Sequence, residues 1–92
     1  MSRAAHLSIR GLVQGVGYRD WTIRKARELR LDGWVRNRLD GSVEAVICGT
    51  DTLVAAMIAE CHDGPSSARV DAIEVTDWNE PVTRGFESRR TG

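Results

Sequence analysis

The chain has 92 residues, room for one domain over residues 1–92 and one core. Its 13 basic and 13 acidic residues cancel, so no uniform field is available to attract nucleic acid or an anionic membrane, and any anion site has to be local. No stretch approaches membrane-spanning length and Met1 to His6 lack the apolar run of a signal peptide, so a soluble cytoplasmic protein with no membrane partner is expected.

Leu7 and Ile9 alternate with His6, Ser8 and Arg10, the period of a half-buried strand over about Ala5–Leu12. Gly11, Gly15 and Gly17 punctuate a loop. Tyr18, Thr22, Ala26 and Leu29 then fall on one helical stripe, flanked by Trp21 and Ile23, which predicts a helix over about Tyr18–Arg30. Gly33–Asn37 and Ser42–Cys48 are rich in strand formers around the turn signal Asp40-Gly41, a hairpin pattern. Thr50 or Asp51 caps a second helix in which Leu53, Val54, Met57, Ile58 and Cys61 repeat at helical spacing, and Gly64-Pro65 ends it. Val70, Ile73 and Val75 mark another strand, and the slip in alternation between Val70 and Ile73 reads as a bulge. Phe86–Arg89 adds a short, charged edge strand. The order predicts an α+β, ferredoxin-like βαββαβ sandwich, one antiparallel sheet with both helices on a single face. Trp21 and Trp34 are expected to fill its core, with Trp78 at the sheet edge or in a loop.

Cys48 and Cys61 are too far apart for a CxxC pair and too few for a disulfide framework, so both read as reduced. Cys61, His62 and Asp63 carry ligand-type side chains, but neighbours within one helical turn diverge, and no metal site is expected. His6 reads as a strand surface residue, and His62 sits near a helix end, where a cation is favourable. The run Arg24 to Arg27 reads as a solvated helix face.

The segment Gly11–Arg19 joins a strand to a helix start, where main-chain N–H groups lack internal partners and the helix dipole favours negative charge. Gly15 and Gly17 let successive N–H groups turn inward as a nest, and Arg19 adds a planar, two-pronged contact suited to phosphate. The segment lacks the GxxxxGK[ST] pattern of a nucleotide-cradling loop, so a small anion is expected. Taken alone, such a turn is as readily a tight connection, Arg19 a solvated helix residue and Asn37 a turn residue leaving a strand.

Together, Gly11–Arg19, Asp32–Asn37 and Asp40–Glu44 closely resemble the two signature segments of the acylphosphatase family, and Gly64–Val70 is similar to the family's turn into its fourth strand. The resemblance runs from about Ala5 to Arg89. It implies a ferredoxin-like fold and hydrolysis of the carboxyl–phosphate bond of small acyl phosphates to carboxylate and inorganic phosphate, with no cofactor and no metal. By the same resemblance Arg19 corresponds to the phosphate-binding arginine and Asn37 to the water-orienting asparagine. Gln14, Gly15, Val16, Gly17 and Tyr18 correspond to the backbone donors for substrate. Three positions depart from the pattern: Tyr18 stands where phenylalanine is common, Gly17 where a bulky residue is frequent, and Arg30 where glycine usually ends the first helix. Arg30 is therefore expected to adopt the left-handed conformation at a cost of about 1–2 kcal/mol.

The implied chemistry needs few residues. An acyl phosphate expels a carboxylate, already a stable anion, so no general acid is required, and phosphoryl transfer is then mostly positioning and electrostatic stabilisation. Asn37 is neutral and holds water without deprotonating it, so the substrate's own phosphate oxygens accept the proton. RNA recognition domains share this order of strands and helices, yet His6, Ser8 and Arg10, or Glu44, Val46 and Cys48, offer no base-stacking platform, and no nucleic-acid partner is expected. Without a large apolar surface stripe, a monomer is expected.

Overall fold

The computed structural model describes residues 1–92. Seven elements follow in chain order: β1 (Ser2–Leu12), α1 (Tyr18–Glu28), β2 (Asp32–Asn37), β3 (Val43–Thr50), α2 (Asp51–Asp63), β4 (Arg69–Asp77) and β5 (Phe86–Ser88). The sheet runs β4-β1-β3-β2-β5. The first four strands pair antiparallel, but β5 lies parallel to β2, with Gly33 opposite Phe86. The sheet is therefore mixed, not wholly antiparallel as the sequence suggested. Residues 78–85 carry the chain across the sheet before β5, so it meets β2 in the same direction.

Alternation in β1 decides the two faces. Ala5, Leu7 and Ile9 are buried under the helices, while His6 and Ser8 look out of the other side. The bulge falls where the alternation slipped: Arg10 pairs with Ala72 and Gly11 with Val70, leaving Asp71 unpaired in the ladder. Gly11 is required there, because a Cβ would stand 2.2 Å from the Arg69 carbonyl oxygen.

In α1, Tyr18, Thr22 and Ala26 turn inward at successive helical repeats. The helix stops at Glu28, two residues before the expected end. Leu31 N–H donates to the Ala26 carbonyl and Arg30 N–H to that of Arg27, a Schellman closure with Arg30 in the left-handed position at φ 56°. It is the one non-glycine residue with positive φ. Thr50, the last residue of β3, also caps α2, its hydroxyl accepting from Leu53 N–H at 3.2 Å. Val54, Met57 and Cys61 pack down onto Leu7, Ile9, Val35, Val43 and Ile47.

Trp34 does not fill this core. Its register partner is Val46, which also faces His6, and all three lie on the helix-free side of the sheet. There Arg36 and Arg89 stack their guanidiniums 5.4 and 4.7 Å from the ring centroid, and Trp78 meets it edge-on at 6.1 Å. Trp34 is only 7 % exposed under this roof, so it offers no open stacking surface. Trp78 follows β4, donates its main-chain N–H to the Ala4 carbonyl and stacks its ring on His6. Trp21 is half-buried beside Tyr18, at the margin of the core. On the same helix-free face the buried Glu44 carboxylate meets Arg36 Nε at 2.6 Å, His6 Nε2 at 2.6 Å and Arg38 Nη1 at 3.2 Å.

Candidate active site

The β1–α1 loop turns on two left-handed glycines, Gly15 at φ 75° and Gly17 at φ 82°. Gly17 is also the N-cap of α1, and having no side chain it leaves the first turn's N–H groups uncapped. Among hydrogen bonds outside the helices and strands, none is donated by a main-chain N–H from Gln14 to Asp20; Trp21, bonding to the Gly17 carbonyl, is the first donor. A run of free N–H groups at a helix start favours negative charge beside it.

Gly15, Gly17, Tyr18, Arg19 and Asp20 of that run line a pocket of about 210 Å³ together with Val13 and Asn37. Arg19 and Asn37, far apart in sequence, thus share one small space. Arg19 stands exposed on the first turn of α1, free of any protein ion pair. Asn37 is the last residue of β2, half-buried, its carbonyl held by Gly92 N–H at 3.1 Å.

Gln14 and Val16, expected as backbone donors, are not among the residues that line the pocket, and their side chains turn away from it. Val16 is half-buried against the core. Gln14 turns its side chain to the β2–β3 turn, its amide Nε2 donating to the Arg38 and Ser42 carbonyls at 2.8 Å each. One NH₂ group thereby ties the loop that precedes Arg19 to the turn that follows Asn37. The turn is braced further by Asp40, whose carboxylate accepts from Ser42 Oγ at 2.6 Å and Ser42 N–H at 2.9 Å. The Ser42 hydroxyl bond, with the main-chain one, holds the Asp40 carboxyl below the ordinary carboxylate range.

Tyr18 contributes to the pocket wall and is otherwise buried, its hydroxyl donating to the Cys61 carbonyl. Two pocket residues had no signal of their own in the sequence. Val13 is a buried wall residue, and Asp20 is an exposed carboxylate beside Arg19 whose adjacency was the one available hint. No cluster of three or more His, Cys, Asp or Glu side chains is arranged to hold a metal ion.

The acylphosphatase family model matches residues 5–88. The chain is 50% identical over 88 residues to an acylphosphatase of Rhizorhabdus wittichii, covering 96% of this chain and 89% of the relative. It is 46% identical over 89 residues to an acylphosphatase of Acidiphilium cryptum, covering 97% and 98%. The solved structure of an acylphosphatase from Coxiella burnetii superposes with a TM-score of 0.91 at 32% identity, covering 96% of this chain and 93% of that one. Matched from the first strand through the last in both sequence and backbone, the chain belongs to the acylphosphatase family.

Proposed function

We propose that this acylphosphatase hydrolyses small acyl phosphates in the pocket between the β1–α1 loop and Asn37, without a metal ion. The observation that carries the reading is the shared pocket: loop residues with uncapped N–H groups, Arg19 and Asn37 line one space. The pocket is smaller than a usual ligand cavity, room for a phosphoryl group with the acyl part left outside.

In this reading the N–H groups and Arg19 grip the phosphoryl oxygens, and Asn37 holds a water in line with the phosphorus–acyl oxygen bond. Water oxygen bonds to phosphorus as the bond to the acyl oxygen breaks, and its electron pair leaves with the carboxylate. The water proton passes to a phosphoryl oxygen, so the products are carboxylate and inorganic phosphate. Charge in the loose transition state stays on oxygens that already face Arg19 and the loop. Free thiols at Cys48 and Cys61 support a reducing, cytoplasmic setting, and the few large apolar side chains left exposed, Met1, Leu12, Leu39 and Val75, support a monomer.

The test is turnover of benzoyl phosphate with EDTA present. Arg19→Ala and Asn37→Ala are each expected to lose about 10²–10³ in rate while keeping the fold, and inorganic phosphate is expected to inhibit competitively. Near-normal turnover by either folded variant removes that residue from the mechanism.

A further inference from the structure

A second cationic site lies at the far end of α1. The last turn of the helix, the Arg30-Leu31 turn and the segment leading into β5 border an open cleft of about 440 Å³, whose floor is the buried pair Leu31 and Phe86. Three guanidiniums line it, Arg27 from the helix, Arg30 from the turn and Arg84 from the segment before β5. None has a carboxylate within ion-pair distance. Arg27 alone has a protein acceptor, the Phe86 carbonyl at 3.0 Å. Glu87, the one acid in the cleft, is paired instead with Arg89 at 3.5 Å.

The three guanidiniums have no ion-pair partner in a chain of zero net charge; the Asp32 carboxylate beside the cleft is taken by the Gly85 main-chain N–H at 2.8 Å. Helix capping accounts for Arg27, since cations oppose the dipole at a helix C-terminus. It does not account for Arg84, which is on no helix, nor for Arg30. A glycine would close the Schellman turn at φ 56° without strain, whereas arginine holds it at a backbone cost and adds the third guanidinium.

We propose that this cleft binds an oligophosphate chain, free or as the tail of a nucleotide. The cleft has about 440 Å³ against about 210 Å³ for the Arg19 pocket and three guanidiniums against one, room and charge for a ligand larger than a single phosphate, with further phosphates in line for each fork to pair with. The buried apolar floor leaves recognition to charge rather than to a stacked base. The cleft shares no residue with the pocket of Arg19 and Asn37, so the proposal stands independently of the catalytic reading. An anion here bridges α1 to the start of β5 and stabilises the folded chain by mass action.

The experiment is calorimetric titration of the full chain with tripolyphosphate at low salt, without divalent ions, in an Arg19→Ala background that disables the first anion site. One equivalent is expected to bind and to raise the melting temperature. Adding Arg30→Gly and Arg84→Ser is expected to weaken binding at least threefold; Arg84→Ser alone, at an exposed residue, serves if the double replacement does not fold. Absence of binding in the Arg19→Ala protein, or a weakening of less than threefold, overturns the proposal. Inorganic phosphate binding as tightly as tripolyphosphate overturns the oligophosphate assignment. A nucleoside triphosphate matching tripolyphosphate supports recognition through the tail, and one binding more than tenfold tighter overturns it in favour of base recognition.

Discussion

The Tyr18 hydroxyl donates a 2.6 Å hydrogen bond to the main-chain carbonyl of Cys61, tying the first residue of α1 to the last turn of α2. That carbonyl belongs to the terminal set an α-helix leaves without internal donors. Burial raises the Tyr18 hydroxyl far above its ordinary range and pushes the Cys61 thiol up to about 12, so both stay protonated and the contact is neutral. Removing the donor strands a buried acceptor. Tyr18→Phe is expected to lose about 1–2 kcal/mol of stability in urea unfolding. Because the next residue is Arg19, a small fall in benzoyl phosphate turnover should accompany it.

Gly64 lies against the same ring. It adopts φ 64° with ψ −166°, and a Cβ there would stand 2.6 Å from Tyr18 Cε2. Gly64→Ala therefore combines backbone strain with a clash against a fixed aromatic, and a loss of about 2–3 kcal/mol is expected by denaturant titration.

Arg30→Gly should act in the opposite sense. The Schellman closure is retained, the left-handed backbone loses its Cβ penalty, and no protein ion pair is broken. A gain of about 1 kcal/mol is expected, a rise of roughly 4–8 °C in melting temperature by calorimetry.

Gln14→Ala separates positioning from binding. Both carbonyls that Gln14 holds keep another donor, Gly41 N–H for Arg38 and Arg38 N–H for Ser42, so stability should change little. The loop and the Asn37 turn lose their shared tie, and kcat is expected to fall about 10–100-fold, with a smaller change in KM. Gln14→Glu, which cannot donate, should resemble Gln14→Ala.

Glu44 carries an acid limb. Burial pushes its carboxyl up, but hydrogen bonds from His6 and Arg36 and the charges of Arg36 and Arg38 outweigh that, leaving it below its ordinary value of 4.5. The unfolded chain thus takes up the proton first. Stability from this group is fully present above the unfolded value and is lost as pH falls through the folded one. Glu44→Gln should be less stable near neutrality and show a shallower decline in stability below pH 4.5 than the wild type. Asp40, depressed for its own reason, remains in both proteins and contributes equally.

The plan of the molecule was legible wherever a pattern had a single physical reading. Val70 and Ile73 break a period of two, and the chain inserts one residue there; Arg30 occupies a glycine position and takes a glycine's dihedral. The side of the sheet on which Trp34 lies was not legible. β2 and β3 carry apolar residues on both faces, so alternation tells which residues share a side but not which side meets the helices. Nor was the parallel pairing of β5 legible, since it depends on where residues 78–85 cross. At the site, loop chemistry and family resemblance singled out Gly15, Gly17, Arg19 and Asn37, and these four line one pocket. The Gln14 brace escaped, because a side-chain amide meeting two carbonyls across a turn leaves no local trace in sequence.

β1 lies between β3 and β4, so Ile9 pairs with Val43 on one side and Ile73 on the other. Neither partner is local. Loop-closure entropy must be met before either ladder contributes, which makes folding slow relative to helical domains of this size. During synthesis the earliest strand emerges with both rims bare, and its second neighbour arrives only after α2 has been made. Until then Leu7 and Ile9 have no complete cover, and the nascent chain is most exposed to association with its own copies.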